Sequence, residues 1–136
     1  MSSVADERLL LLAQDAADLM PLSALVQDAV LAAGDVAWDP RARRLVLLLS
    51  RFRWEAGDCS RVRAALRIEG ARKLQRSRWP ADPATPLALL SLSVDGGWLT
   101  LAFAGGAALR AQVECVELVL EDVSAPWPVK YRPDHP

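Results

Sequence analysis

The sequence predicts an α+β protein, an antiparallel meander of about seven strands with one N-terminal and one C-terminal helix. Apolar and polar residues alternate with a period of two between about residues 35 and 112, which is typical of half-buried strands. Short turns rich in glycine and aspartate separate the alternating stretches, and apolar residues at both ends of the chain keep helical spacing. Because seven strands do not stay flat, we expect the sheet to curl into a roll or partly open barrel.

The N-terminal part predicts one helix over residues 19–30. Asp18 is the expected N-cap, because it places Pro21 in the first turn, where a missing N–H costs nothing. Leu22, Leu25 and Val26 then follow at helical spacing. The preceding run Leu9–Ala13 has the length of a strand, although its leucines also suit a helix.

The strands are predicted at 30–38, 44–54, 61–69, 71–78, 87–95, 98–104 and 107–113. The stretch 61–69 alternates most regularly, with arginines on one face and apolar residues on the other. On the stretch 44–54, Arg51 and Arg53 share a face with Leu45, Leu47 and Leu49. The segments 39–43, 55–60, 95–97 and 105–106 are expected to be turns, and the proline-rich 79–86 a loop.

From Val113 the apolar residues Val116, Leu120 and Val123 return to helical spacing, which predicts a C-terminal helix covering an open end of the sheet. Seven strands followed by a helix is the element order of pleckstrin-homology-like (PH-like) domains. That is the specific fold we expect, with a plain α+β roll as the alternative.

Length and composition indicate a single domain over 1–136, with flexible tails expected at 1–7 and 129–136. We find no apolar run of the roughly 20 residues that a membrane span requires, and no basic segment typical of a signal peptide, so a cytoplasmic location is expected. Cys59 and Cys115 are too few for a disulfide framework, and we expect free thiols.

Charge is distributed unevenly along the chain. Residues 41–78 contain twelve basic and three acidic residues, whereas the rest contains four basic and fourteen acidic ones. Such asymmetry is typical of a surface that binds an anionic partner, or of two parts of one fold that pair their charges. We expect Arg61, Arg63 and Arg67 to form one exposed cationic plate with Arg51 and Arg53 of a neighbouring strand. The full set of partner-binding candidates is Arg51, Arg53, Arg61, Arg63, Arg67, Arg72 and Arg76.

The sequence offers little for catalysis. Its single histidine, His135, stands next to the C-terminus, and cysteine pairs at metal-ligand spacing, a nucleophile elbow and a phosphate-binding glycine loop are not found. We therefore predict no catalytic residues, no metal and no cofactor. Cys115 is expected to pack inside, with a reactive thiol as the alternative.

Several segments resemble a family of uncharacterised bacterial proteins known as DUF2948. They are "LSALVQDAV" at 22–30, "RRLVLLLSRFRWE" at 43–55, "FAGGAALRAQVECVE" at 103–117 and the closing tryptophan–proline segment from Trp127. The resemblance implies a small cytoplasmic protein and brings no known activity, ligand or catalytic residue. One departure is Ser50, which stands where the family usually has asparagine.

The resulting functional hypothesis is a non-enzymatic interaction or scaffold domain. It would bind a protein or a small anionic ligand through the arginine face, and a homodimer is one expected form because oppositely charged patches allow self-association. The alternatives are binding of nucleic acid or anionic lipid, and an enzyme whose site uses only carboxylates and arginines. An isoelectric point near 5.8 argues against a dedicated nucleic-acid binder.

Overall fold

The structure, a computed structural model, describes residues 8–133. Within them the chain forms eleven strands, one α-helix and a 3₁₀ turn at Ala33–Asp35. The helix, α1, spans Ala16–Leu25. The strands are β1 (Leu10–Ala13), β2 (Val30–Ala32), β3 (Val36–Asp39), β4 (Arg44–Phe52), β5 (Ser60–Glu69), β6 (Ala71–Ser77), β7 (Pro86–Asp95), β8 (Trp98–Phe103), β9 (Ala108–Val113), β10 (Leu118–Asp122) and β11 (Trp127–Pro128).

The N-terminal helix is confirmed, but it begins three residues earlier than predicted. Asp15 is the N-cap, and its side chain accepts a 2.8 Å hydrogen bond from the amide of Asp18. Asp18 in turn accepts from the amide of Gln14 at 3.0 Å, so each aspartate satisfies an amide at the helix start. Pro21 consequently lies inside the helix rather than in its first turn.

The predicted C-terminal helix is wrong for the described part of the chain, because its residues form strand β10. Leu118 and Leu120 are buried on the core side of the sheet, while Val119 lies on the other side opposite Arg67. A strand at this place pairs with both β1 and β5, so its backbone groups are satisfied by long-range ladders. These ladders override the local helical spacing, which the sequence alone cannot reveal.

The sheet is an open antiparallel arrangement with the strand order β1-β10-β5-β4-β2-β7-β8-β9-β6, in which most neighbouring strands are not consecutive in the chain. Strand β11 additionally pairs with β5, and β3 with β4. The expected curling into a roll or partly open barrel is corrected, as is the PH-like element order of seven strands and a closing helix. Closure would require the two end strands, β1 and β6, to pair with each other, but among the described residues β1 pairs with β10 and β6 with β9 only.

One cluster of buried apolar side chains forms the core. It includes the inward residues of β4, β5, β8 and β9, and Leu19 and Leu22 of α1. Buried and less buried residues alternate along β4 and β5, as the sequence predicts. Helix α1 therefore packs on the core side of the sheet and leaves the other face of β4 and β5, here called the outer face, without a helix from the described residues.

The predicted turns are confirmed between their strands. Gly96 and Gly97 both have positive φ, which is the conformation that a two-residue hairpin turn requires and glycine adopts readily. Gly70, with φ of 69°, separates β5 from β6. No helix among the described residues is long and apolar enough to cross a membrane.

Two parts of the predicted tails, residues 1–7 and residues 134–136 with His135, lie outside the described residues. Of the remaining tail residues, Val129 donates its amide to the carbonyl of Cys59 at 3.0 Å. Arg132 lies 5.7 Å from the ring centres of both Phe52 and Trp54. Cys59 and Cys115 are free thiols, as predicted, but Cys115 is exposed rather than packed inside, because residues 114–117 connect β9 to β10 instead of forming a helix.

Candidate functional site

Three arginines of β5 lie on the outer face. Arg61, Arg63 and Arg67 alternate with the buried Val62, Ala64, Leu66 and Ile68. Because neighbouring residues of one strand face are about 7 Å apart, Arg61 and Arg63 are adjacent, and Ala65 separates Arg63 from Arg67. The sequence alternation therefore places these three side chains correctly.

The three arginines differ in how far their side chains are engaged by hydrogen bonds and ion pairs. Arg61 is half-buried and donates to the Ser50 hydroxyl at 3.4 Å and to the Asp28 carbonyl at 3.2 Å. Burial lowers the pKa of its guanidinium group, which still remains charged at neutral pH. Arg67 lies 3.8 Å from a Glu69 carboxylate oxygen. The exposed Arg63 has no recorded side-chain hydrogen bond or ion pair with the described residues; only its backbone is engaged, by Ser124 and Val123.

Arg63 lines a pocket together with apolar residues on the outer face. Ser50 lies directly opposite Arg63 on β4, and Val30 of β2 lies opposite Ser50 in turn. A shallow pocket of about 240 Å³ opens here. It is lined by Arg63, Asp35, Ser50 and the apolar residues Val30, Leu31, Ala32, Leu48, Ala84 and Pro86. The pocket thus combines apolar walls with the carboxylate of Asp35 and with Arg63, whose side chain pairs with no acid among residues 8–133.

Arg51 is not part of this surface, although the sequence analysis placed it there. Its side chain is completely buried and donates two 2.9 Å hydrogen bonds to the Asp122 carboxylate and two 2.8 Å hydrogen bonds to that of Glu55. Burial lowers the pKa of Arg51, but the bonds to Glu55 and Asp122 outweigh that effect and raise it above its ordinary value. Its role is therefore internal charge pairing.

Arg53 is also turned inward, with 3% of its surface exposed. It donates to the Ser60 hydroxyl at 3.1 Å and lies 3.4 Å from Asp58. A small pocket of about 160 Å³ borders it, lined by Arg8, Leu9, Arg53, Glu55 and Ala56. The sequence already indicated that both arginines point inward, because Arg51 and Arg53 lie on the same face of β4 as the buried Leu45, Leu47 and Leu49.

Arg72 and Arg76 lie on β6, which pairs with β9 and not with β4 or β10. Glu114 accepts a 3.0 Å hydrogen bond from Arg72 and a 2.9 Å one from Arg43, so Arg72 is engaged by an acid of the β9–β10 connection. Arg76 is exposed. The predicted plate is therefore reduced to Arg61, Arg63 and Arg67, because Arg51 and Arg53 pair with acids inside the fold. Arg72 and Arg76 lie on a strand that is not a neighbour of β5.

The sequence analysis missed the acids that organise this region, Asp122 and Glu55, and the apolar pocket walls. Asp122 falls within the stretch predicted to be the C-terminal helix, and nothing local connects it to Arg51, which is 71 residues away in the chain. The walls Val30 and Pro86 come from strands that meet only through β2–β7 pairing. Only a correct β10 assignment would have placed Asp122 on the buried face of the sheet.

The fold and this surface define a small α+β protein with an open antiparallel sheet and a mixed cationic and apolar outer face. The chain belongs to the family described as "Protein of unknown function (DUF2948)", whose family model matches residues 9–135. Neither the curated proteins nor the solved structures contain a match to this chain.

Proposed function

We propose that the protein is a non-enzymatic, cytoplasmic interaction domain whose outer face binds an acidic, partly apolar segment of a partner protein. The observation that carries this proposal is the exposed guanidinium of Arg63, which has no recorded side-chain partner in the described residues and borders an apolar pocket. An arginine retained only for charge balance would pair with an acid, as Arg51, Arg53 and Arg72 do.

The chemistry of the pocket supports this choice of bound segment. An apolar side chain of the partner would contact Val30, Leu48 and Pro86, and a carboxylate beside it would accept paired hydrogen bonds from Arg63. Arg67, four residues along the same strand face, would attract a second carboxylate. A small ligand carrying an anionic group on an apolar body has the same chemistry and is the closest alternative.

Nucleic-acid binding is less well supported by the surface. Base stacking needs exposed aromatic rings, and two aromatic residues close to the arginines are engaged within the fold: Phe52 is buried, and the Trp54 indole donates to the Gln27 carbonyl at 3.1 Å. The enzymatic alternative also has little support, since both carboxylates nearest Arg51 are bound to it. Anionic lipid would need several free cations on one surface, whereas Arg61 is partly occupied.

The experiment is selection of peptides from a random library on the purified protein, followed by titration of the selected peptides in solution. We expect enriched peptides to combine Asp or Glu with a large apolar residue. Arg63→Glu should weaken their binding about tenfold or more, because a charge-assisted hydrogen bond contributes about 1.5–3 kcal/mol. Affinity should also fall with added salt.

The matched control is Arg76→Glu, which makes the same charge change at an exposed arginine of β6. It should leave peptide affinity nearly unchanged if binding is local to the outer face. Equal losses in both variants would instead indicate a general effect of net charge, and selected peptides that bind Arg63→Glu at full strength would refute the proposed site. Tighter binding to single-stranded DNA or to phosphatidylserine vesicles would favour the rival functions.

A further inference from the structure

The two edges of the sheet differ sharply in their chemistry. Strand β6 closes one end of the strand order, and its sequence ARKLQRS carries three cations. Charged side chains on an edge strand discourage pairing with another chain. Strand β1 closes the other end with the sequence LLLA, which carries no charge. One edge is thus protected against association, and the other is not.

The backbone of β1 offers unpaired groups to a partner. The Asp122 amide donates to the Leu9 carbonyl at 2.9 Å, and the same register continues as Leu11 opposite Leu120 and Ala13 opposite Leu118. Because hydrogen-bonded and non-hydrogen-bonded pairs alternate in an antiparallel ladder, the N–H and C=O groups of Leu10 and Leu12 point away from β10. Within the described residues β1 pairs with no other strand.

The side chains on this edge are apolar and exposed. Leu10 is 63% and Leu12 53% exposed, and Leu12 lies opposite Val119 on the outer face of β10. Two exposed leucines two residues apart on an uncharged edge strand have the composition of an interface rather than of a solvated edge.

We propose that this edge is a self-association site, at which β1 pairs antiparallel with β1 of a second copy of the chain. A two-fold axis at Leu11 would set Leu10 of each copy opposite Leu12 of the other. Each of these pairs then forms both backbone hydrogen bonds, using the groups that β10 leaves free. The sheets of the two copies become continuous, and the exposed leucines of both copies come together on the outer face.

A second copy fits this edge better than other occupants do. An antiparallel edge is complementary to itself under two-fold symmetry, so the contact closes as a dimer. Pairing of β1 with β6 would be head-to-tail and would place Arg72, Lys73 and Arg76 against the leucine-bearing edge. Because β1 is only four residues long, the contact is small and the dimer should form reversibly with protein concentration.

The test is sedimentation velocity over protein concentrations from about 5 to 500 μM, with folding checked by circular dichroism. We expect the wild-type chain to shift from monomer to dimer over this range, and Leu12→Lys to remain monomeric throughout. Leu90→Lys is the matched control, since Leu90 is 45% exposed but lies on β7, which has a neighbour on both sides. It should dimerise as the wild type does.

A second measurement does not depend on any variant. Amide hydrogen exchange of the wild-type chain should slow at Leu10 and Leu12 as protein concentration rises, whereas exchange at the β6 edge should not change. A wild-type chain that stays monomeric, a Leu12→Lys chain that still dimerises, or edge amides of β1 indifferent to concentration would each overturn the proposal. A failure of peptide binding at Arg63 has no bearing on this outcome, so the two proposals fail separately.

Discussion

Removing the Asp122 carboxylate should cost the protein a large part of its stability. Asp122 and Arg51 both have completely buried side chains, joined by two hydrogen bonds of 2.9 Å. Asp122 also accepts a 2.9 Å hydrogen bond from the amide of Leu9, just before β1. In Asp122→Ala the guanidinium stays buried without one of its two carboxylates, and the Leu9 amide loses its side-chain acceptor.

The expected magnitude follows from these contacts. Breaking a buried ion pair by removing one partner costs about 3–5 kcal/mol, mainly because the remaining charge is left uncompensated. Glu55 keeps its two 2.8 Å hydrogen bonds to Arg51, which favours the lower half of that range. Since domains of this size are stable by about 5–15 kcal/mol, Asp122→Ala should remain folded but only marginally so.

Urea denaturation measures this loss. With an m value of about 2 kcal/mol/M, the unfolding midpoint of Asp122→Ala should fall by about 1.5–2 M. The double variant Arg51→Met/Asp122→Leu should recover part of the loss, because it leaves no completely buried charge and the remaining Glu55 side chain, 34% exposed, reaches water. A loss below about 1 kcal/mol for Asp122→Ala, or a double variant less stable than the single one, would refute the reasoning.

Two further predictions concern acid stability and the helix start. Burial raises the pKa of Glu55, but the hydrogen bonds from Arg51 outweigh that effect and lower the pKa below its ordinary value. The stability that Glu55 contributes is therefore fully present above its pKa in the unfolded chain. It is lost as the pH falls through the pKa of Glu55 in the folded protein. Glu55→Gln should therefore be less stable than wild type at pH 7, and the difference should shrink below about pH 4.5; a gap that widens in acid would contradict this sign. Asp15→Ala should cost about 1 kcal/mol through loss of the N-cap bond, whereas Asp18→Ala should cost less; thermal melts giving the reverse order would restore Asp18 as the cap.

Local chemistry made much of the strand pattern predictable. The alternation along β5 placed Arg61, Arg63 and Arg67 on the outer face without any knowledge of neighbouring strands. Glycine turns at 96–97 and 105–106 separated β7, β8 and β9 because few other residues adopt positive φ readily. Arg51 and Arg53 also alternate in step with the buried leucines of β4, which indicated that they lie on the core side of the sheet. Their burial could be understood only once the structure showed their acidic partners.

The amphipathic stretch after Val113 shows where local pattern fails. Its apolar spacing fits a helix and its valines fit a strand, so the sequence does not decide between them. Pairing with β1 and β5, segments distant in the chain, supplies the hydrogen bonds that make it β10. The same pairing brings Asp122 to Arg51 and thereby removes one predicted binding arginine from the surface.

The sequence by itself determined the family, the antiparallel character of the middle of the chain and the faces of its strands, because two-residue periodicity and turn residues act over short distances. The tertiary structure alone decided which arginines are paired, that an apolar pocket borders Arg63, which has no side-chain partner in the described part of the chain, and which sheet edge carries no charge. These features depend on strand neighbours tens of residues apart, and only the assembled hydrogen-bond ladders bring such groups within contact distance.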